Sequence, residues 1–138
     1  MRETAREHYR RMAVESASPA GLIGLLFEGA VSSLHGAALA AEAGQVARRV
    51  ERTNRALGII THLRSSLELE RGGRVAATLR DFYSLAIPRI LQAGIQNSAA
   101  MFAELETEFA GLREAWRAVE RDEARGFRPA AVGGARRG

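Results

Sequence analysis

The groups in this chain that could move protons or hold metal are three histidines and sixteen carboxylates, and their spacing joins none of them into a site. His8, His35 and His62 are scattered, and no histidine follows a glutamate by three residues, the step that lets a helical bundle hold two iron ions. Glu68 and Glu70 are two apart, so on a helix they point in different directions. Glu104 and Glu108 do share a helix face, and a solvated polar face accounts for them. Gly72-Gly73 precedes no phosphate-loop lysine and reads as a helix stop. Cysteine is absent, which excludes disulfides and thiolate zinc sites. The expectation is no enzyme, no metal and no cofactor, with function residing in surface shape.

Charge does not supply that function either. The formal net charge is +4, but residues 121–138 hold five arginines against Asp122 and Glu123, and the rest of the chain is nearly neutral. Nucleic-acid binding needs a basic stripe on a folded face, with aromatic platforms beside it for single strands. Here the excess sits in a segment rich in Arg, Gly and Ala, and that composition predicts a disordered tail over 122–138. The first twenty residues are too charged for a signal peptide, and the longest apolar run is interrupted by Glu28, far short of the roughly 20 residues of a membrane span. A soluble cytoplasmic protein without direct membrane insertion is expected.

Helices must position whatever surface is used, and the punctuation marks them. Ser18-Pro19 is an N-cap followed by proline at the first helical position, and Gly44 suits the left-handed residue that ends the helix near Ala43. A second helix is expected over 46–69, stopped by Gly72-Gly73. A third is expected over 74–93, ended by Gly94, with Val75, Leu79, Phe82, Ala86 and Ile90 on one stripe and Ala76, Tyr83, Ile87 and Leu91 on the next. Pro88 lies inside it and predicts a kink or break near residues 84–87, because proline removes an amide and clashes with the preceding turn. Asn97 or Ser98 can cap a fourth helix over 98–121, whose seam of Met101 or Phe102, Leu105, Phe109, Leu112, Trp116 and Val119 steps by threes and fours. Short links join antiparallel neighbours. The fold class is therefore all-α: an antiparallel up-down four-helix bundle over 18–121, with residues 1–17 as a capping segment and a short helix within 2–12 lying across it.

One helix carries more apolar surface than such a bundle can hide. Along 18–38, Leu22, Leu26 and Ala30 form one stripe, Ile23, Phe27, Val31 and Leu34 a second, and Leu25 a third direction. A helix apolar most of the way round is central to a core or is covered by a partner.

These residues resemble a known family, the flagellar export chaperone FliS. The likeness runs through Tyr9, Val14 and the SASP of 16–19. It continues in LIGLLFEGA at 22–30, in SSLELERGG at 65–73 followed by Val75-Ala76, Leu79 and Phe82-Tyr83, and in LREAW at 112–116. The resemblance implies a helical-bundle chaperone that binds the C-terminal segment of flagellin in surface grooves, keeps subunits from polymerising and hands them to the export apparatus. It also implies an N-terminal segment that occupies part of that surface when flagellin is absent.

On this reading the groove combines the surplus surface of the first helix with the second stripe of the third. Its residues are Tyr9, Val14, Leu22, Ile23, Leu26, Phe27, Tyr83, Ile87 and Leu91. Each has a plain structural alternative: Tyr9 could pin a segment to the bundle. Phe82 and Tyr83 point about 100° apart, and Phe82 is assigned to the core and Tyr83 to the groove. Trp116 is assigned to the core. Free copies could pair through an uncovered groove. Departures from the family pattern are Pro88, Gly21 and Gly24, and the basic tail. The alternatives left open are a helical adaptor for another secreted or cytoplasmic protein and, less favoured, nucleic-acid binding through the tail.

Overall fold

The computed structural model of the chain describes residues 4–16 and 18–125, the side chains at 13–16, 69–71, 123 and 124 excepted. Five helices follow one another: α1 (Ala5–Ser16), α2 (Pro19–Ala43), α3 (Val46–Ser65), α4 (Leu69–Gln96) and α5 (Ala99–Ala124). Helix α2 packs along both α3 and α5, α4 closes the ring between them, and α2 and α4 are diagonal. Every neighbouring pair is antiparallel. His35 of α2 meets Glu106 of α5 while Ala20 meets Trp116, and Arg89 of α4 meets Glu108 of α5. The fold is thus the expected all-α up-down bundle.

Local chemistry sets most boundaries. The Ser18 hydroxyl accepts from the Gly21 amide at 3.0 Å, with proline at the first turn, and Gly44 takes φ 72° at the other end of α2. Ser98 caps α5 by accepting from the Met101 amide at 3.1 Å. Thr4 and Glu7 exchange side-chain to backbone bonds at the start of α1, a reciprocal cap. Each such cap stabilises its helix by about 1 kcal/mol.

Three boundaries depart from expectation. Helix α3 stops at Ser65, where the Ser65 and Ser66 hydroxyls donate to the His62 and Leu63 carbonyls and compete with further backbone pairing. Gly73 then breaks the start of α4 instead of ending α3, at φ 55°, ψ −134°. At its other end α4 runs past Gly94 to Gln96, where Asn97 adopts the left-handed conformation. The Asn97 side chain accepts from the Arg49 guanidinium and donates to the Ala41 carbonyl, tying the α2–α3 and α4–α5 connections at one end. The break expected at Pro88 does not occur, because Pro88 and Ser84 face solvent and water can pair the carbonyl left without its amide. Of the tail expected to be disordered over 122–138, residues 122–124 continue α5, and the part beyond Arg125 lies outside the described residues.

The core runs the length of α2. Ile23, Phe27, Ala30, Val31, Leu34, Ala37 and Ala41 meet Ala56, Ile60 and Leu63 of α3, Tyr83, Ala86, Ile90 and Ala93 of α4, and Phe102, Leu105, Phe109 and Trp116 of α5. Small residues let the helices close up: a β-carbon at Gly24 would stand 3.3 Å from the Trp116 ring and 2.8 Å from Glu120. The Trp116 indole donates to the Ala20 carbonyl at 2.8 Å and packs on Phe27 with ring centres 6.1 Å apart. Among the described helices α2 is the one long and apolar enough to span a membrane by length and composition, despite Glu28. Its packing along both α3 and α5 accounts for much of that composition.

Candidate partner-binding grooves

Among the described residues, three apolar depressions can be placed between helices. The largest, about 550 Å3, lies between α2 and α3 and is lined by Leu22, Leu25, Leu26, Gly29 and Ile59, with Arg10, Glu28, Arg55 and His62 at its rim. A second, about 390 Å3, opens between the first half of α4 (Val75, Thr78, Leu79) and the last turns of α5 (Leu112, Ala115, Val119), with Phe27 and Trp116 also lining it. The third, about 220 Å3, lies between α3 (Val50, Thr53) and α4 (Leu91, Gly94, Ile95). Val75 is exposed in the second groove, and Val50, Leu91 and Ile95 are exposed in the third.

The residues expected to form one groove fall in different places. Leu22 is exposed and Leu26 half-buried, both in the α2/α3 groove, and Leu91 is exposed in the α3/α4 groove. Ile87 is half-buried against the core. Tyr9 is 76 % exposed, so the docked position considered for it is not taken up. The Val14 side chain lies outside the described residues. Ile23 and Tyr83 are corrections: both are buried and line none of these grooves, Tyr83 at 1 % exposure with its ring stacked 6.4 Å from Phe109, whereas Phe27, also buried, forms part of the floor of the α4/α5 groove rather than of the expected one. Phe82, assigned to the core, is the half-buried member of the pair and packs on Phe109 at 5.1 Å. Among the described residues α2 and α4 are diagonal, so the surplus surface of α2 and the second stripe of α4 do not form one continuous face.

A drift in periodicity explains the exchange on α4. Each step of four residues advances 400°, so the sequence 83, 87, 91 turns 80° from core to surface. The buried face draws instead on both stripes: Ala76 and Tyr83 from one, Ala86 and Ile90 from the other. Sequence reasoning also missed Arg10, Arg55, Ile59 and His62 as groove residues. The signal for them was the run of basic residues on α3 beside an apolar position.

Among the described residues the clearest electrostatic shifts fall on a core tyrosine and an interhelical ion pair. Burial holds the Tyr83 phenol well above its ordinary range. Arg89 donates to Glu108 at 2.7 and 2.8 Å and to Glu104 at 3.3 Å, so the shared face of these two glutamates is bound to α4 as well as solvated. The bond from Arg89 keeps the Glu108 carboxyl below the usual range, against the opposing effect of burial. No cluster of three metal-ligating side chains exists among the described residues.

A model of the family described as flagellar protein FliS matches residues 1–123. The chain is similar to the flagellar secretion chaperone FliS of Salmonella typhimurium, 40% identical over 108 residues that cover 78% of this chain and 80% of that protein. It is 31% identical over 112 residues to the flagellar secretion chaperone FliS of Vibrio cholerae, covering 78% and 82% respectively. To the flagellar secretion chaperone FliSB of Pseudomonas aeruginosa it is 30% identical over 116 residues, covering 81% and 92%.

Proposed function

We propose that this chain, which belongs to the FliS family of flagellar proteins, is a cytoplasmic export chaperone without enzymatic activity. It binds the C-terminal segment of flagellin, prevents premature polymerisation and delivers the subunit to the flagellar export apparatus. The observation that carries the reading is the α2/α3 groove, an apolar trough on the helix that also forms the heart of the core. A subunit segment that would pair with other subunits has an apolar helical stripe, and such a stripe fits a trough of this kind by helix-in-groove recognition. Burial at about 25 cal/mol per Å2 supplies the affinity, less the cost of ordering the segment.

The direct test is co-elution of the purified protein with flagellin of the same organism, beside flagellin lacking its C-terminal segment. A one-to-one complex formed with the intact subunit alone is expected. Failure with both, from folded protein, would move the client to another protein. Salt separates this reading from nucleic-acid binding. Apolar burial predicts a modest loss of affinity, whereas counterion release from several phosphates costs about a thousandfold or more between roughly 50 and 200 mM salt.

A further inference from the structure

The α2/α3 groove has a charged edge that its apolar floor does not require. Arg48, Arg55 and His62 follow one another along α3 at seven-residue spacing, and all three are exposed. Seven residues are nearly two helical turns, so the three groups form a row on one side of α3, spaced by about 10.5 Å. Arg55 and His62 stand at the groove rim beside Leu22, Leu25 and Leu26, and Arg10 of α1 joins them there. Arg10, Arg48 and Arg55 form no ion pair among the described residues. The carboxylates nearby are engaged elsewhere: Glu51 lies 3.6 Å from Arg52, and Glu28 lies 3.9 Å from Arg117 of α5. Unpaired guanidinium groups at the rim of an apolar trough, Arg10 and Arg55, with Arg48 further along the same side of α3, select for what lies there by charge complementarity.

From this row we propose that the α2/α3 groove takes an amphipathic helix carrying acidic residues on one edge at seven-residue spacing, in register with Arg48 and Arg55. The inference rests on the groove being the client site and adds the chemistry of the segment it accepts. The apolar stripe provides most of the affinity, and the acidic edge fixes which way round and in which register the segment lies. Two or three partly exposed pairs of this kind are together expected to change affinity about tenfold.

The test uses the full chain and three helical peptides with one shared apolar stripe, bearing Glu, Gln or Lys at two edge positions seven residues apart. Binding is read by titration calorimetry, with circular dichroism melts to confirm that each variant folds. The Glu peptide is expected to bind about tenfold more tightly than the Gln peptide and the Lys peptide more weakly than either. The double variant Arg48→Glu, Arg55→Glu is expected to reverse that order, and since both side chains are exposed its melting should stay close to the parent's. Equal affinities for the three peptides, or an order unchanged by the double variant, would overturn the charged-edge inference while flagellin co-elution stood. Self-association that blocked all three alike would overturn it in favour of a second copy of this chain. Loss of flagellin co-elution itself would instead remove the reading beneath it.

Discussion

Leu22 and Ile23 are neighbours on α2, read alike from the sequence, and the structure sends them in opposite directions. Fully burying a leucine is worth about 1.5–3 kcal/mol. Leu22 is 38 % exposed in the free protein, so a client helix can gain about two-fifths of that by covering it, near 0.6–1.2 kcal/mol. Leu22→Ala should therefore weaken flagellin binding about three- to sevenfold, and the share already buried should cost the fold about 1–2 kcal/mol. Ile23 is 5 % exposed and lines none of the grooves described above, so Ile23→Val should cost the fold a similar 0.5–1.5 kcal/mol, as typical for that change, and leave affinity unchanged. The assay pairs urea unfolding with calorimetric titration of the flagellin C-terminal segment, run well below each variant's unfolding midpoint. Matching stability losses with an affinity loss in Leu22→Ala alone is the expected pattern. Equal losses of affinity in both, or a larger one for Ile23→Val, would refute the separation of groove from core.

Pro88→Ala should raise stability by about 1–3 kcal/mol, because the restored amide can pair the Ser84 carbonyl in a helix that is continuous there; unchanged denaturation midpoints would show that the proline costs α4 nothing. Removing the Arg89 bridge by Arg89→Gln should cost about 0.5–1 kcal/mol at neutral pH, given that both Arg89 and Glu108 are about one-third exposed. Glu108 is held below its unfolded value, so its contribution is present above the ordinary carboxylate range and disappears as pH falls through its folded value; the difference between parent and variant should narrow in acid, and a gap independent of pH would refute the pairing. Tyr83 is displaced upward by burial, so its proton is retained in the folded state after an unfolded chain would lose it. Stability should fall as pH rises above about 10, the ordinary tyrosine value, and Tyr83→Phe should remove that part of the slope, as denaturant melts across alkaline pH would record.

Features decided by a few adjacent residues were legible in the sequence. Ser18 with Pro19, Gly44 and Ser98 each act through hydrogen bonds or backbone torsions within one turn, and each appears where its type requires. Trp116 was legible as core because its seam has a single phase along α5. The site was less legible, for two physical reasons. Helix α2 is apolar around most of its circumference, so periodicity cannot say which of Leu22 and Ile23 faces a neighbour until α3 and α5 are in place. On α4, steps of four residues drift around the axis, so Tyr83 and Leu91 share a stripe on paper and not in space. The early end of α3 depended on two serine side chains turning back to carbonyls, competition that an apolar pattern running on to Leu67 concealed.

The contact between Ala20 and Trp116 joins residues 96 positions apart, and it has a consequence for how the molecule is made. As the chain leaves the ribosome, α2 emerges early, and α3 can cover one side of it soon afterwards. Its other side, Phe27 included, has to wait for α5, which comes after both α3 and α4. Until then a 25-residue apolar helix is half-clad, and contacts so distant in sequence are slow to close. A bundle built this way passes through an interval of exposure, and premature termination before Trp116 should leave an aggregating fragment instead of a smaller bundle.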